Sequence, residues 1–268
     1  MPSETLLLDL AALLYLAAAG VAVIAAIASK ARARTVLTLL AAALALHTGA
    51  IALRWLRLDH GPYVNLFEIL SSNVWSLHLI ALLASLGVRR LRGALVMTLP
   101  VLGVLVLWMM ATPARDTAVP MTYQTIWLPV HMVLGKLFLG LVVLALGLCL
   151  VVVARRAFGW RLSHAPDCAE AEGLAHRVML AAVVFQTLML VAGAAWARDA
   201  WGRYWAWDPL ESWAFLTWLA VLAYLHWRPR HQGATVLNAA LVIGIYIIAF
   251  ATFFGVPFIS LAPHKGAI

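Results

Sequence analysis

The sequence predicts an all-α integral membrane protein, a polytopic helical bundle of about eight transmembrane helices that forms a single domain over residues 1–268. Composition is the first reason, because 65% of the residues are hydrophobic and only 11% are charged, whereas soluble domains carry about 25% charged residues. The second reason is that the apolar residues fall into eight segments, each close to the roughly 20 residues that a helix needs to cross a bilayer. The third is that Lys and Arg concentrate in short loops between those segments.

The first four predicted spans are set by their apolar runs and by the polar residues between them. The first is rich in Ala and Gly, which let helices pack closely, and it carries Asp9 near its outer end. Asn65 is expected to cap the third span, with Glu68 in the first turn. A short basic turn at 89–92 separates the third span from the fourth. These spans are predicted at 5–28, 35–53, 67–88 and 93–111.

The last four predicted spans lie at 128–154, 177–196, 209–227 and 235–255. The stretch 155–177 between two of them is predicted to be a long polar loop in which His164 and His176 are solvated. The run D-P-L-E at 208–211 predicts the start of the seventh helix. Asp caps helices, Pro suits the first helical position, and a Glu three residues after the cap can reach back to it.

Orientation follows from the distribution of Lys and Arg. Twelve of the nineteen lie on one side of this arrangement and six on the other, with Lys136 inside a span. The side with twelve is cytoplasmic by the positive-inside rule. Both termini are therefore expected on the outer, periplasmic side, together with the loop between the sixth and seventh spans. The net charge of +8 then reflects membrane orientation, and no nucleic-acid partner is expected.

The segment 198–213 between the sixth and seventh spans is the most distinctive stretch of the chain. Four tryptophans and a tyrosine fall within thirteen positions, from Trp201 to Trp213. An aromatic belt at the headgroup level is one interpretation, because Trp and Tyr gather there. A belt does not require a glycine, two arginines and an Asp-Pro pair at set positions. The pattern therefore favours a binding segment.

The order of residues in this segment also resembles a known motif. The run W-G-x-x-W-x-W-D-P-x-E at 201–211 is similar to the tryptophan-rich WWD motif of the haem-handling proteins of cytochrome c assembly. Within that superfamily its D-P-x-E ending, followed by Trp213, Trp218 and His226, resembles the CcsA (ResC) family. The run P-x-x-N-L-F-E at 62–68 also resembles a stretch of that family, with Phe in place of its tyrosine.

The resemblance implies that haem b is bound as a substrate. His131, at the outer end of the fifth span, and His264, after the last span, correspond to two outer histidines that would ligate the haem iron. His226, at the inner end of the seventh span, corresponds to a ligand of a second haem site, whose other histidine comes from a CcsB-like chain. Glu68 would either join the haem site or pair with an outer arginine. The implied haem-binding residues are His131, His264, His226, Trp201, Tyr204, Trp205, Trp207, Asp208, Glu211, Trp213, Arg198 and Arg203.

Physical chemistry is consistent with these roles. Imidazole is a common axial ligand of haem iron, and indole rings can cover the apolar porphyrin plate. The anionic propionates would favour Arg198 or Arg203 through charge-assisted hydrogen bonds. His47 and His78, deep within the second and third spans, are expected to be polar packing residues.

The resemblance further implies the CcsA subunit of a CcsBA-type (system II) complex, which acts as a holocytochrome c synthase. Such a protein moves haem across a bacterial cytoplasmic (inner) membrane, or a thylakoid-type membrane, and attaches it to the Cys-x-x-Cys-His motif of apocytochrome c on the outer face. The implied partners are a CcsB-like (ResB-type) subunit, apocytochrome c, thiol-reducing proteins and membrane lipid. The alternatives are a CcmC-type haem exporter and a HemX-like regulatory protein. The exporter usually follows its Trp-Asp with Ala-Arg, unlike the D-P-x-E at 208–211.

The predicted orientation can be tested with a reporter enzyme that is active only outside the cytoplasm. Fused after Ile268, the reporter is expected to be active, because the even number of spans returns the chain to the outer side. Fused near Pro166, it is expected to be silent, because the surrounding basic loop is retained inside. The opposite pattern of reporter activity would invert the orientation and move segment 198–213 to the cytoplasmic side.

Overall fold

The computed structural model describes residues 2–28, 32–162, 164–231, 233 and 235–259. Within these ranges every regular element is helical, and eight long helices correspond to the eight predicted segments. Helices α1 to α8 are Pro2–Ile27, Ala33–Leu58, Leu66–Gly87, Leu95–Ala111, Trp127–Phe158, Cys168–Trp201, Pro209–Trp227 and Thr235–Phe250. A π-helical turn at Ala251–Gly255 and the short helix α9, Val256–Ile259, continue from α8. Short 3-10 helices lie at Arg89–Ala94, Met121–Tyr123 and Arg228–Arg230.

The polytopic helical membrane bundle predicted from composition is confirmed. Seven helices in the described ranges are long and apolar enough to cross a membrane, namely α1 to α6 and α8 with its π-helical turn. The remaining long helix, α7, has 19 residues and is less apolar because it contains Glu211, His226 and three tryptophans. That α7 also crosses the bilayer stays a prediction, as does the outer position of the termini.

The predicted long loop at 155–177 is wrong in its extent. Helices α5 and α6 extend into it from both sides and leave only residues 159–167 as the connection. Asp167 caps α6, because its side chain accepts from the Glu170 backbone N–H at 2.8 Å. His176 consequently lies within α6 and is half-buried against a tyrosine of α7 instead of being solvated. An Asp followed three residues later by Glu is a helix-start signal, so the start of α6 at this point could have been predicted from the sequence.

Helix α5 is the centre of the bundle. It packs against α3, α4, α6 and α8, and its contact with α6 is the most extensive between any two helices described. Helices α1 and α2 pair on one flank, and α7 packs against α6 and α8 on the other. Helices α5 and α6 have 32 and 34 residues, or about 48 and 51 Å at 1.5 Å per residue. Both exceed the roughly 30 Å hydrocarbon layer, so their ends extend beyond it.

A buried ion-pair network joins α1, α2 and α3 near the start of α3. Arg54 is 5% exposed and donates to the Glu68 carboxylate at 2.9 Å and to that of Glu4 at 3.2 Å. Asn65 caps α3 as predicted, since its side-chain oxygen accepts from the Glu68 N–H at 3.0 Å. Glu68 was expected either to join the haem site or to pair with an arginine, and in the structure its carboxylate pairs with Arg54. The network fixes the start of α3 against its neighbours.

His47 and His78 are both buried inside the bundle, as expected of polar packing residues. The two ring nitrogens of His47 contact the Ser71 hydroxyl at 2.9 Å and the Tyr15 hydroxyl at 3.4 Å. His78 Nδ1–H donates to the Val74 carbonyl at 2.8 Å, and its ring stacks on Tyr15 with centroids 4.0 Å apart. These contacts matter because an unsatisfied polar group in the hydrocarbon layer costs several kcal/mol.

A second buried carboxylate holds the opposite end of the bundle together. Glu172 in α6 is 5% exposed and accepts from Asn238 of α8 at 2.7 Å. It also pairs with Arg228, in the 3-10 turn after α7, at 3.3 Å. One carboxylate thus connects the ends of three helices.

Replacing Arg54 by Met is expected to destabilise the bundle strongly, because Glu68 would remain buried without an arginine and Glu4 would keep only Arg57. Breaking a buried ion pair in this way costs about 3–5 kcal/mol. The measurement is the free energy of unfolding in mixed micelles titrated with denaturing detergent.

Arg90→Met is the matched control, because Arg90 pairs with Glu170 at 3.3 Å outside this network and its side chain is 70% exposed. A partly exposed pair contributes about 0–1 kcal/mol. Equal losses in the two variants would contradict the assignment of the Arg54 network as the stabilising feature.

Candidate functional site

A cavity of about 250 Å³ opens at the end of the bundle where α5 begins, α6 ends and α7 begins. Helix α3 and the π-helical turn after α8 complete its walls. Most of the lining is apolar or aromatic, and the polar residues that reach it include Asn73, His131, Lys136 and Glu211. An apolar wall with a few convergent polar groups is typical of a ligand or cofactor site.

His131 lies in the second turn of α5, and its ring is oriented by α6. Its Nδ1 lies 2.9 Å from the Met189 carbonyl oxygen. A carbonyl can only accept, so Nδ1 carries the proton and the lone pair of the neutral ring is on Nε2. Metal-ligating histidines commonly donate their other N–H to a carbonyl in this manner. The imidazole is therefore in the tautomer that a ligand of iron requires.

Gly193 on α6 provides the space for this imidazole. A Cβ atom at position 193 would lie 2.8 Å from His131 Nδ1 and 3.0 Å from its Cε1, so any larger residue would displace the ring. The Trp196 ring lies on the next turn of α6, with its centroid 6.0 Å from that of His131. The close approach of α5 and α6 thus sets the direction of the imidazole.

The aromatic segment between α6 and α7 is held at both ends. Gly202 ends α6 in the left-handed conformation with φ of 76°, and its N–H donates to the Arg198 carbonyl at 3.0 Å. Asp208 caps α7 as predicted, because its side chain accepts from the Glu211 N–H at 2.9 Å. The Glu211 carboxylate reaches further back than the cap and accepts from the Ala206 N–H at 2.7 Å. Residues 198–201 and 209–213 belong to helices, so only 202–208 link them.

Trp207 adopts an uncommon backbone conformation just before the α7 cap. Its φ is 57°, in the left-handed region that costs a non-glycine residue about 1–3 kcal/mol. The contacts of the helix start hold it there, because the Trp207 carbonyl accepts from the Ser212 hydroxyl at 3.1 Å and Glu211 holds the preceding residue. The result is an indole that is 66% exposed beside the cavity.

Trp205 is the centre of one aromatic wall. Its ring meets those of Trp207 and Phe215 edge-on, with centroids 5.6 and 6.4 Å apart. Phe215 in turn stacks on Trp218, whose Nε1 donates to Thr187 of α6 at 2.9 Å. The Trp205 Nε1 is buried and has no hydrogen-bond partner within the described ranges. This wall of the cavity therefore contains a donor that a bound ligand could satisfy.

A second aromatic wall comes from residues far apart in the chain. Trp196 is 8% exposed and its Nε1 donates to the Thr122 carbonyl at 2.9 Å. Its ring lies 6.1 Å from that of Tyr123, which lies 6.2 Å from Tyr63. Burial raises the pKa of Tyr123, so its hydroxyl remains protonated at neutral pH. Trp205 and the second wall thus line the same cavity.

Four of the predicted haem-binding residues within the described ranges line this cavity. They are His131, Tyr204, Trp205 and Glu211. Trp201 lies behind the wall, with its ring 5.1 Å from Trp196, Trp207 packs on Trp205, and Asp208 caps α7. Trp213, in the second turn of α7, is 37% exposed.

The predicted arginines and the other histidines lie elsewhere. The Arg198 guanidinium sits 6.0 Å from the centroid of the exposed Tyr204 ring, and Arg203 is exposed. His226 is exposed in the last turn of α7, about 22 Å along that helix from Glu211 at 1.5 Å per residue. His264 lies outside the described residues.

Several cavity residues were not expected from the sequence. Lys136 could have been predicted, because an ionisable residue inside a membrane span is a candidate functional residue. Tyr63 lies in the run 62–68 that resembles the family, but nothing in that run indicated a cavity residue. Tyr123 and Trp196 had no signal, because only the packing of the helices brings them to the cavity. Gly193 was equally hidden, because its role depends on which face of α6 meets α5.

Fold and site together define a polytopic helical membrane protein with an aromatic cavity at one end of its bundle. The cytochrome C assembly protein family matches residues 63–262, which is most of the chain and includes every element around the cavity. The chain therefore belongs to the cytochrome C assembly protein family.

Individual relatives agree with this membership. A cytochrome c biogenesis protein CcsA of Cuscuta exaltata is 29% identical over 255 residues, covering 81% of this chain and 80% of that protein. A CcsA of Acorus calamus is 42% identical over 93 residues, 34% of this chain and 28% of the relative. A CcsA of Prochlorococcus marinus (strain MIT 9312) is 39% identical over 96 residues, 36% of this chain and 31% of the relative.

One solved structure has a similar fold. It is the cytochrome c haem lyase CcmF, with a TM-score of 0.73 at 23% sequence identity. The match covers 95% of this chain and 47% of the lyase, so this chain spans about half the length of that protein. The likeness concerns the helical arrangement.

Removing the Glu211 carboxylate is expected to loosen segment 202–208 without unfolding the bundle. Glu211→Ala leaves the Ala206 N–H without its acceptor, and a hydrogen bond to a charged group is worth about 1.5–3 kcal/mol. Amide hydrogen exchange in peptides covering 202–208 should become roughly tenfold faster or more.

Glu170→Ala is the matched control, because Glu170 has the same place after the α6 cap but its carboxylate pairs with Arg90 at 3.3 Å. Exchange in 202–208 should stay unchanged in that variant. Unchanged exchange in Glu211→Ala as well would show that the carboxylate does not hold the segment.

Proposed function

We propose that this protein is the CcsA subunit of a CcsBA-type complex, which binds haem in the aromatic cavity and attaches it to apocytochrome c. The single observation that carries the proposal is that His131 and the tryptophan-rich segment line one cavity. They are separated by about seventy residues in the sequence, and nothing local required them to meet. Membership of the cytochrome C assembly protein family supports the same conclusion.

The imidazole of His131 suits an axial ligand of haem iron. Its Nδ1–H is bound to the Met189 carbonyl, which fixes the ring plane and raises the basicity of the other nitrogen. The second axial ligand is proposed to be His264, as the resemblance implies. Haem is the substrate here, and His131 would hold its iron until the haem is attached to apocytochrome c.

The cavity walls suit a flat apolar plate. Trp205, Tyr123 and Trp196 all present aromatic surface to the cavity, and burial of such surface stabilises a complex by about 25 cal/mol per Å². The cavity of about 250 Å³ is below the roughly 300–1,000 Å³ usual for drug-sized ligands. One edge of a bound porphyrin would therefore extend past Tyr204 and Trp207, which are 63% and 66% exposed.

An exposed edge is what the chemistry of attachment needs. Each cysteine S–H of the apocytochrome Cys-x-x-Cys-His motif adds across one vinyl C=C of the porphyrin, so two thioethers form and no oxidant is consumed. This protein's residues hold the plate and leave the reacting edge accessible. The protein would thus form part of a holocytochrome c synthase, with apocytochrome c and thiol-reducing proteins as partners.

His226 is proposed to belong to a separate, inner haem site. It is exposed at the end of α7 opposite the cavity, so it cannot reach a haem bound at His131. An exposed imidazole at a helix end is available to a second chain, and a histidine of a CcsB-like (ResB-type) subunit is the proposed partner. Haem would enter there from the cytoplasm and leave at the cavity on the outer face of a bacterial inner or thylakoid-type membrane.

Replacing His131 by Gly is expected to lower haem retention, because it removes one axial ligand while leaving the apolar walls. Added imidazole should restore retention by occupying the vacated position. The measurement is the haem absorption spectrum of the protein purified with its partner, together with thioether attachment to an apocytochrome c.

Trp205→Ala is the matched comparison, because it removes stacking surface and leaves the ligands. A buried indole covers about 150–250 Å², or roughly 4–6 kcal/mol as an upper bound, and imidazole cannot replace it. The proposal fails if imidazole rescues both variants or neither. Haem loading with normal release to a chaperone but no thioether attachment would favour the haem-exporter alternative.

A further inference from the structure

Lys136 places a cation inside the membrane span of α5, where charge is expensive. It lines the aromatic cavity and is half-buried. Its Nζ donates to the Ser72 hydroxyl of α3 at 2.7 Å, and that hydroxyl donates to the Ile69 carbonyl at 3.2 Å. Ionisable residues inside a span usually serve a function, because each is costly to keep there.

The contrast with the arginines that pair with buried carboxylates is informative. Arg54 has the carboxylates of Glu4 and Glu68, and Arg228 has that of Glu172. Across the described part of the chain, no ion pair involves Lys136. An ammonium group has three donors, and the neutral Ser72 hydroxyl engages one of them. A charge inside a membrane span that lacks a counter-charge favours an anionic ligand.

A second, independent observation lies beside it. Asn73 is 5% exposed, lines the same cavity, and its Nδ2 donates to the Ile69 carbonyl at 2.8 Å. Its Oδ1 is buried with no hydrogen-bond partner in the described ranges. Buried polar groups are rarely left in that state unless a ligand or water completes them. Asn73 Oδ1 can only accept, so it suits a water or a ligand N–H or O–H, and the spare N–H donors of Lys136 are the groups that fit an anion.

We propose that Lys136 forms a carboxylate-binding site at the floor of the cavity. This proposal rests on the proposed function, in which the carboxylate is a propionate of haem. Lys136 follows His131 by five residues, which is about 7.5 Å further along α5. A plate held at its iron by His131 then has its propionate edge at Lys136 and its vinyl edge at the exposed Tyr204 and Trp207.

This orientation differs from one in which Arg198 or Arg203 takes the propionates. Both arginines are exposed, and the Arg198 guanidinium already lies over the Tyr204 ring. Propionates at those arginines would turn the vinyl edge down into the cavity, away from an approaching apocytochrome. Lys136 therefore determines which edge of the substrate is presented for attachment.

The experiment compares two probes, haem and haem dimethyl ester, in which both propionates are esterified and uncharged. The affinity of each is measured by absorption titration with the full-length protein in lipid nanodiscs. The wild type should bind haem about tenfold to a hundredfold more tightly than the ester, since a hydrogen bond to a charged group contributes that factor. Lys136→Met should bind the ester as the wild type does and lose the preference for haem.

Three further variants keep the result decisive. Lys136→Arg retains a cation and should retain the preference, whereas Lys136→Gln is neutral but can still bond Ser72 and should lose it. If Lys136→Met fails to fold, the glutamine variant decides. Arg156→Met removes an exposed cation at the far end of the same helix and should retain the preference.

Each outcome separates this proposal from the function on which it rests. A wild type that binds neither probe contradicts the proposed function. A wild type that binds both probes equally, or a preference that survives in Lys136→Gln and disappears in Arg198→Met, overturns the Lys136 site and leaves haem binding intact. If Lys136 only braced α3 against α5, its variants would lose both affinities in parallel.

Discussion

The packing of α5 along α6 is the contact on which the candidate site depends. It brings His131 against the Met189 carbonyl and requires the absence of a side chain at Gly193. The same contact positions Trp196, which forms one wall of the cavity. The imidazole lies against Gly193, and its Nδ1 bonds the Met189 carbonyl, so two positions of α6 set its direction. The direction of a potential iron ligand is thus fixed by the most extensive interface in the protein.

The capping contacts at the starts of α3 and α7 position the segments that precede these helices. Asn65 caps α3 and Asp208 caps α7, and each is followed three residues later by a glutamate. In both cases the carboxylate bonds a backbone N–H upstream of the helix, that of Val64 for Glu68 and that of Ala206 for Glu211. Glu68 also holds a buried arginine, whereas Glu211 fixes the strained turn that exposes Trp207. A common local motif therefore gives stability at one helix and ligand presentation at the other.

The polar groups inside the bundle divide into two sets. His47, His78 and Glu172 are buried and hydrogen-bonded, so they join helices without facing the cavity. Lys136, Asn73 and Trp205 line the cavity and retain bonding capacity there. In an apolar environment such capacity is costly, and its presence in the wall of a cavity is the physical reason to expect a ligand with polar groups at that place.

The sequence by itself determined the membrane class, the eight helical segments and the caps at Asn65 and Asp208. It also contained the tryptophan-rich motif at 201–211 that indicated the family. These follow from hydropathy and from contacts within a few residues, which a linear pattern contains. Even the connection between α5 and α6, predicted too long, had a local signal at Asp167 and Glu170. Only the tertiary structure decided that Glu68 meets Arg54, that Lys136 meets Ser72, and that Tyr123, Trp196 and Trp205 line one cavity. Helices that are apolar on every side give no indication of which face packs inward, so these pairings depend on the assembled bundle.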